Sequence, residues 1–211
     1  MPTIGFIGGG NMAGSLIGGL LDADFSADDI LVAEPDGSRR KYLEAEFQIS
    51  TSADNNETRD CEIIILAVKP QLLRKVCQQL TIPDVATKLF ISIAAGIRSE
   101  DISRWLFDTN SSNSEPQRKP AIVRCMPNTP SLLQCGASGL FANDSVTQQQ
   151  QRMAERIMRA VGIIIWIDDE HKLDAVTAVS GSGPAYFFLM MEAMQNAGVK
   201  LGLDNDTSRQ L

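Results

Sequence analysis

Side chains suited to acid–base or nucleophilic chemistry are scarce in this chain. Its single histidine, His171, sits in the charged stretch DDEHKLD and reads as a surface residue. Its four cysteines (Cys61, Cys77, Cys125 and Cys135) form no CxxC pair and show no metal-ligand spacing. Neither a redox pair nor a metal site is therefore expected. Two stretches stripped of large side chains stand out instead. FIGGGNMA carries Gly8, Gly10, Asn11, Met12 and Ala13, and VSGSGPAYFF carries Ser180, Gly181, Ser182, Gly183 and Pro184 ahead of an apolar, helix-forming run. Each is either a tight loop packing on a neighbour or a ligand seat at a helix N-terminus, where unpaired N–H groups and the dipole favour negative charge.

The first stretch has the G-x-G-x-x-A form of the dinucleotide fingerprint. Gly8 permits a tight turn, Gly10 lets backbone approach a pyrophosphate, and the small Ala13 allows close helix–strand packing. It follows a strand-like run and precedes an amphipathic one, which is the context that gives the motif meaning. At the end of the next β-rich run, Glu34 suits an adenosine ribose hydroxyl and favours NAD, whereas Ser38, Arg39 and Arg40 suit a 2′-phosphate and favour NADP. These residues alone leave the choice open. AVKP (Ala67, Val68, Lys69, Pro70) and SIAAGI (with Ala94 and Ala95) end the next two runs with small residues, where ligands of open α/β sheets bind. In RCMPNTPS, Pro127 and Pro130 fix the backbone on either side of Asn128 and Thr129, with Met126 just before them.

Positioning such loops requires strands and helices in alternation. TIGFIG leads into a helix over 11–22, ILVAE into 38–47, EIIILAV into 70–80 and KLFISIAAG into 99–107; AIVRCM, GASGLFA and GIIIWI follow, with a helix over 148–160 between the last two. The continuous apolar runs predict a parallel sheet buried on both faces, hence a doubly wound α/β fold. Residues 108–119 read as an exposed polar loop, and beyond Asp168 the pattern is helical only, over 170–179 and 183–198. We therefore expect a dinucleotide-binding domain over 1–168 and the start of a helical substrate and dimerisation domain over 169–211. The run AYFFLMMEAM is apolar around most of its circumference, so Met190, Met191 and Met194 are expected in a core or subunit interface.

The 44% hydrophobic and 21% charged composition supplies a real core, and the net charge of -7 argues against a nucleic-acid partner. No run approaches the roughly 18 apolar residues of a membrane span, and MPTIGFIGG lacks the basic start of a signal peptide. A cytoplasmic protein with reduced thiols is the expectation. A helix start near Asp204 or Asp206 is followed by about one turn, which reads as a chain continuing beyond Leu211 or needing a partner there.

Taken together and in order, FIGGGNMA, AVKP, SIAAGI, MPNTP and above all DAVTAVSGSGPAYFFLMMEAM resemble the pyrroline-5-carboxylate reductase family over nearly the whole chain. The resemblance implies a Rossmann domain followed by a helical domain, here truncated, that interleaves with a second subunit. It implies hydride transfer from NADPH, less efficiently NADH, to the C=N carbon of L-1-pyrroline-5-carboxylate, giving L-proline. By motif, Gly8 to Ala13 would hold pyrophosphate and Asn55 would lie near the adenosine ribose. Ala67 and Lys69, with Ala94 and Ala95 nearby, would flank the nicotinamide-side ribose. Asn128 would sit near the nicotinamide, and Thr177 and Ser182 would face the substrate ring. The family's later helices are missing, so a form ending at Leu211 is expected to bind cofactor and to handle substrate poorly. Two other readings compete. One is a 3-hydroxyacid dehydrogenase of the 6-phosphogluconate dehydrogenase type, with Lys172 as base; the other is a dinucleotide-binding sensor without turnover.

Overall fold

The computed structural model describes residues 3–110 and 119–211. Eight strands form one sheet: β1 (Ile4–Ile7), β2 (Ile30–Ala33), β3 (Ser50–Ser52), β4 (Ile63–Leu66), β5 (Leu89–Ser92), β6 (Ala121–Met126), β7 (Gly136–Ala142) and β8 (Gly162–Trp166). Their spatial order is β3-β2-β1-β4-β5-β6-β7-β8. The first six are mutually parallel and reverse direction of growth between β1 and β4, the switch point of a doubly wound sheet.

The centre of the sheet is buried because successive side chains alternate between two apolar layers. Ile4, Phe6, Ile63, Ile65 and Val123 join one core with α1 (Asn11–Asp22), α2 (Gly37–Phe47) and α5 (Gln148–Arg159). Ile7, Ile64, Leu66, Phe90 and Ile122 join the other with α3 (Pro70–Gln79) and α4 (Ser99–Asn110). Each such fully buried side chain contributes about 1.5–3 kcal/mol. The short α6 (Lys172–Val176), α7 (Gly183–Lys200) and α8 (Asn205–Gln210) follow, with Asp204 capping α8 through Thr207 N–H at 2.8 Å.

Three elements differ from expectation. β7 runs antiparallel to β6, because only residues 127–135 join them and a parallel pairing needs a longer crossover. The helix expected over 170–179 is α6 followed by a π-helical turn, Thr177–Gly181, closed by Ser182 N–H on the Thr177 carbonyl at 2.9 Å. The edge strand β3 is polar and three residues long, too short for a hydrophobic pattern. Of the expected polar loop over 108–119, residues 111–118 lie outside the described residues.

The cysteines test this packing. Burial pushes the Cys77 and Cys125 thiols up to about 12 and raises that of Cys61, whereas Cys135 is exposed. At pH 8 a colourimetric disulfide reagent should titrate one thiol quickly in the native protein and four after denaturation. A second fast thiol would contradict the packing described.

Candidate active site

The sheet sends five loops to one edge, those after β1, β2, β4, β5 and β6. After β1, Gly8 adopts φ +99, and a Cβ there would lie 2.7 Å from the Ala67 carbonyl oxygen. Backbone bonds Gly8 N–H to Ala33 O and Ala67 N–H to Ile7 O, both 2.8 Å, hold this close approach. α1 then begins just after Gly10, which is exposed and extended. No side chain caps it, no acidic residue occupies the first turn, and a Cβ would meet nothing within 4 Å. An uncapped helix start facing open space at the switch point fits a pyrophosphate, whose charge the N–H groups and dipole would stabilise. Asn11 is exposed, Met12 half-buried and Ala13 buried beneath them.

Glu34 follows β2, and both its oxygens are committed to backbone: Oε2 accepts from Gly9 N–H at 2.8 Å and Oε1 from Asp36 N–H at 3.0 Å. Arg39 donates to the Gly9 and Gly10 carbonyls and lies 4.7 Å over the Tyr42 ring. Arg40 donates to the Glu34 carbonyl at 2.7 Å. Asp36 caps α2, and the N–H groups of Arg39 and Ser38 hold its carboxyl below the usual range. Ser38 is exposed at that helix start. Asn55 opens a 3-10 turn beyond β3 that packs against β1 and β2.

Beyond β4, Ala67 and Val68 are half-buried and Lys69 is exposed, with Pro70 opening α3. Beyond β5, Ala94 is buried, Ala95 half-buried and Gly96 turns at φ +74. From β1 to β6 is three inter-strand steps, about 14 Å, a span that an extended dinucleotide can cross.

The β6 loop meets the second small-residue stretch directly. Asn128 is buried; its Oδ1 accepts from Ala137 N–H at 2.9 Å and its Nδ2 donates to Ser180 Oγ at 3.2 Å. A Cβ on Gly181 would lie 2.7 Å from Met126 Cε. Pro127 is buried beside them and Thr129 exposed. Thr177 Oγ1 donates to the Leu173 carbonyl at 2.8 Å, leaving its lone pairs to accept. Ser182 and Gly183 are half-buried, and the Ser182 hydroxyl does not cap α7, whose first turn holds Pro184.

One constellation carries no motif. Glu170 Oε1 pairs with Arg124 Nη1 at 2.9 Å and accepts from Ser99 N–H at 2.6 Å, while Oε2 accepts from Ser99 Oγ at 3.0 Å. Its members lie 46 and 71 residues apart. Only an arginine inside an otherwise apolar strand, Arg124 in AIVRCM, hints at a buried partner. His171 is exposed, with Nδ1 3.3 Å from Arg98 Nη2. Exposed Lys172 pairs with Asp168 at 2.6 Å; that hydrogen bond and charge raise its pKa and disfavour it as a base. A cavity of about 910 Å³ opens at the opposite edge, lined by Glu62, Lys88 and Thr147. Ligands of open parallel sheets bind outside the carboxyl ends of strands, so the loops above define the site. Among the described residues no group of three or more His, Cys, Asp or Glu could hold a metal ion.

Fold and site define a dinucleotide-dependent oxidoreductase carrying a helical dimerisation segment. Residues 3–96 match the family model described as NADP oxidoreductase coenzyme F420-dependent, and residues 170–211 match that of pyrroline-5-carboxylate reductase dimerisation. The chain is 47% identical to the pyrroline-5-carboxylate reductase of Pseudomonas aeruginosa, over 100% of this chain and 74% of that protein. It superposes on the solved pyrroline-5-carboxylate reductase of Coxiella burnetii with TM-score 0.86 and 38% identity, covering 99% of this chain and 74% of that one. The Plasmodium falciparum pyrroline carboxylate reductase, solved with NADP bound, gives TM-score 0.83 at 30% identity, with 99% and 73% coverage. This chain belongs to the pyrroline-5-carboxylate reductase family.

Gly8→Ala tests the turn. The added methyl group meets the Ala67 carbonyl in a backbone conformation that L-residues rarely adopt, which costs about 1–3 kcal/mol. The variant should melt earlier and lose dinucleotide binding in a fluorescence titration. An unchanged melting temperature would contradict the geometry.

Proposed function

We propose that this protein reduces L-1-pyrroline-5-carboxylate to L-proline, taking the hydride from NADPH in preference to NADH. The observation that carries the reading is the junction of the β6 loop with the small-residue stretch, Asn128 on Ser180 and Met126 on Gly181, at the strand edge that also bears the Gly8–Ala13 turn. Residues 1–168 act as the dinucleotide-binding domain and 169–211 as the start of the substrate and dimerisation domain. The apolar α7, with Tyr186, Phe187 and Met191 each more than 60% exposed, serves homo-oligomerisation. Among the described residues no helix is long and apolar enough to cross a membrane. With net charge -7, the partner chemistry is a small imino acid rather than nucleic acid, in the cytoplasm.

When bound, the dinucleotide supplies the hydride; the chain's own residues position and shield. Gly10 to Ala13 present N–H groups to pyrophosphate. Asn55 lies by the adenosine ribose, and Ala67, Val68, Lys69 and Pro70 line the nicotinamide-side ribose with Ala94 and Ala95. Asn128, rigid between Ala137 and Ser180, borders the nicotinamide. Met126, Pro127, Thr129, Ser180, Gly181 and Gly183 shape the substrate wall. The Ser182 hydroxyl and the lone pairs of Thr177 Oγ1 face the ring nitrogen. A protonated ring imine already accepts hydride, so no strong general acid is needed; alignment at roughly 3–3.5 Å is the requirement.

Preference for NADPH rests on Ser38, Arg39 and Arg40 at the start of α2, and on the commitment of the Glu34 carboxylate to the Gly9 and Asp36 amides. A charge-assisted hydrogen bond is worth about 1.5–3 kcal/mol, so Arg39→Ala should lower the NADPH-to-NADH ratio of kcat/KM by at least about tenfold. An unchanged ratio removes Arg39 from the phosphate site.

The reaction is tested by NADPH oxidation with pyrroline-5-carboxylate, 3-hydroxyacid oxidation being the control for the competing dehydrogenase chemistry. Ser182→Ala in the full-length protein should lose at least about tenfold in kcat/KM, the scale of one hydrogen bond to a charged group. Wild-type kinetics in that variant would reject its role, and no turnover in the wild type would reject the reaction.

A further inference from the structure

We propose that Glu170 is a positioning residue for hydride transfer, setting the substrate-side turn against the cofactor-side loop; the inference rests on the reductase reading above. Its carboxylate joins three segments that all end at the site. Through Ser99 N–H and Oγ it holds the first residue of α4, three residues after Gly96 in the β5 loop. Through Arg124, buried on β6, it holds the strand that leads within four residues to Asn128. Its own backbone starts the segment that becomes α6 and the π-helical turn. The adjacent contact of His171 with Arg98 repeats the tie one residue along on both sides.

From Glu170 the chain runs seven residues to Thr177, about 10 Å at helical rise. That rod is packed, not free. Leu173 is 2% exposed, and Val176 lies so close to Gly139 that a Cβ there would be 2.9 Å from its Cγ1. Its far end is pinned to the β6 loop by Asn128–Ser180. The far-end contacts fix the turn against β6, whereas the Glu170 end also fixes it against the β5 loop. A shift at Glu170 therefore passes along the rod and changes the distance between substrate wall and cofactor loop. Misplacement by about 1 Å costs up to about 100-fold in rate. Both Glu170 oxygens are committed to Arg124 and Ser99, so it acts through them rather than on a reactant.

The test uses full-length protein and two changes. Glu170→Gln keeps the shape and removes the charge facing Arg124. The double variant Arg124→Met with Glu170→Met removes the whole clamp without leaving a buried charge unpaired, an exchange that stability often tolerates. In whichever variant folds, kcat/KM for pyrroline-5-carboxylate should fall by at least about tenfold. The NADPH dissociation constant should rise by less than kcat/KM falls, because the clamp reaches the cofactor only through the β5 loop and not through the Gly8–Ala13 turn. The isotope effect with NADPH deuterated at nicotinamide C4 should rise, because poorer alignment makes hydride transfer more rate-limiting. A role confined to stability would lower the melting temperature and leave that isotope effect unmoved. Wild-type kinetics in the double variant, an equal loss of NADPH affinity, or failure of both variants to fold would overturn the proposal. A wild-type protein that never oxidises NADPH with this substrate would overturn the parent reading as well, and the control arm shows which has failed.

Discussion

The whole site depends on one close backbone approach, Gly8 against the Ala67 carbonyl, where the sheet reverses its direction of growth. Strands on either side of that point send their connections to opposite faces, so the carboxyl edge between them is left uncovered. A crevice forms there without any side chain being spent on it. What the chain must supply is absence: no Cβ at Gly8, no cap at Gly10, small residues at Ala67 and Ala94. The scarcity of acid–base side chains and the glycine-rich loops are two aspects of one solution, in which the protein contributes shape and the dinucleotide contributes reactivity.

The second half of the crevice is built by polar contacts at the margin of an apolar core. Asn128 is buried, and its amide is used at both ends, accepting from a backbone N–H on β7 and donating to Ser180. Arg124 and Glu170 work similarly, with Ser99 satisfying the remaining oxygen. Such groups add little net stability, because desolvation offsets most of their attraction, but they discriminate sharply between one arrangement and its neighbours. An apolar seam between the sheet and α6 would tolerate sliding; hydrogen bonds with fixed length and angle do not.

Legibility followed physical range. α1 was readable from Asn11 to Asp22 and α7 from Gly183, since a glycine turn or a proline at the first helical turn is a local signal. β1, β2, β4, β5 and β6 were readable because burial on both faces makes each a continuous apolar run. The π-helical turn was not, since Thr177 to Gly181 suit an ordinary helix end, and the contacts with Met126 and Asn128 that accompany the wider turn exist only in the finished fold. The reversed β7 hides in a connection whose length, not composition, forbids a parallel return. Glu170 was invisible for a simpler reason. Its partners are brought near only by the finished sheet, and a glutamate in DDEHKLD looks like any solvated charge.

α7 leaves a last consequence. Tyr186, Phe187, Phe188, Met190 and Met191 project from it with 57–68% of their surface exposed, in the very region that matches the family's dimerisation segment. In the homo-oligomer proposed above, covering that helix is a bimolecular event, which subjects the native state to mass action. Dilution alone, with no change in solvent or temperature, would then work against the order of the turn next to Ser182, and specific activity would become a function of how much protein is in the tube.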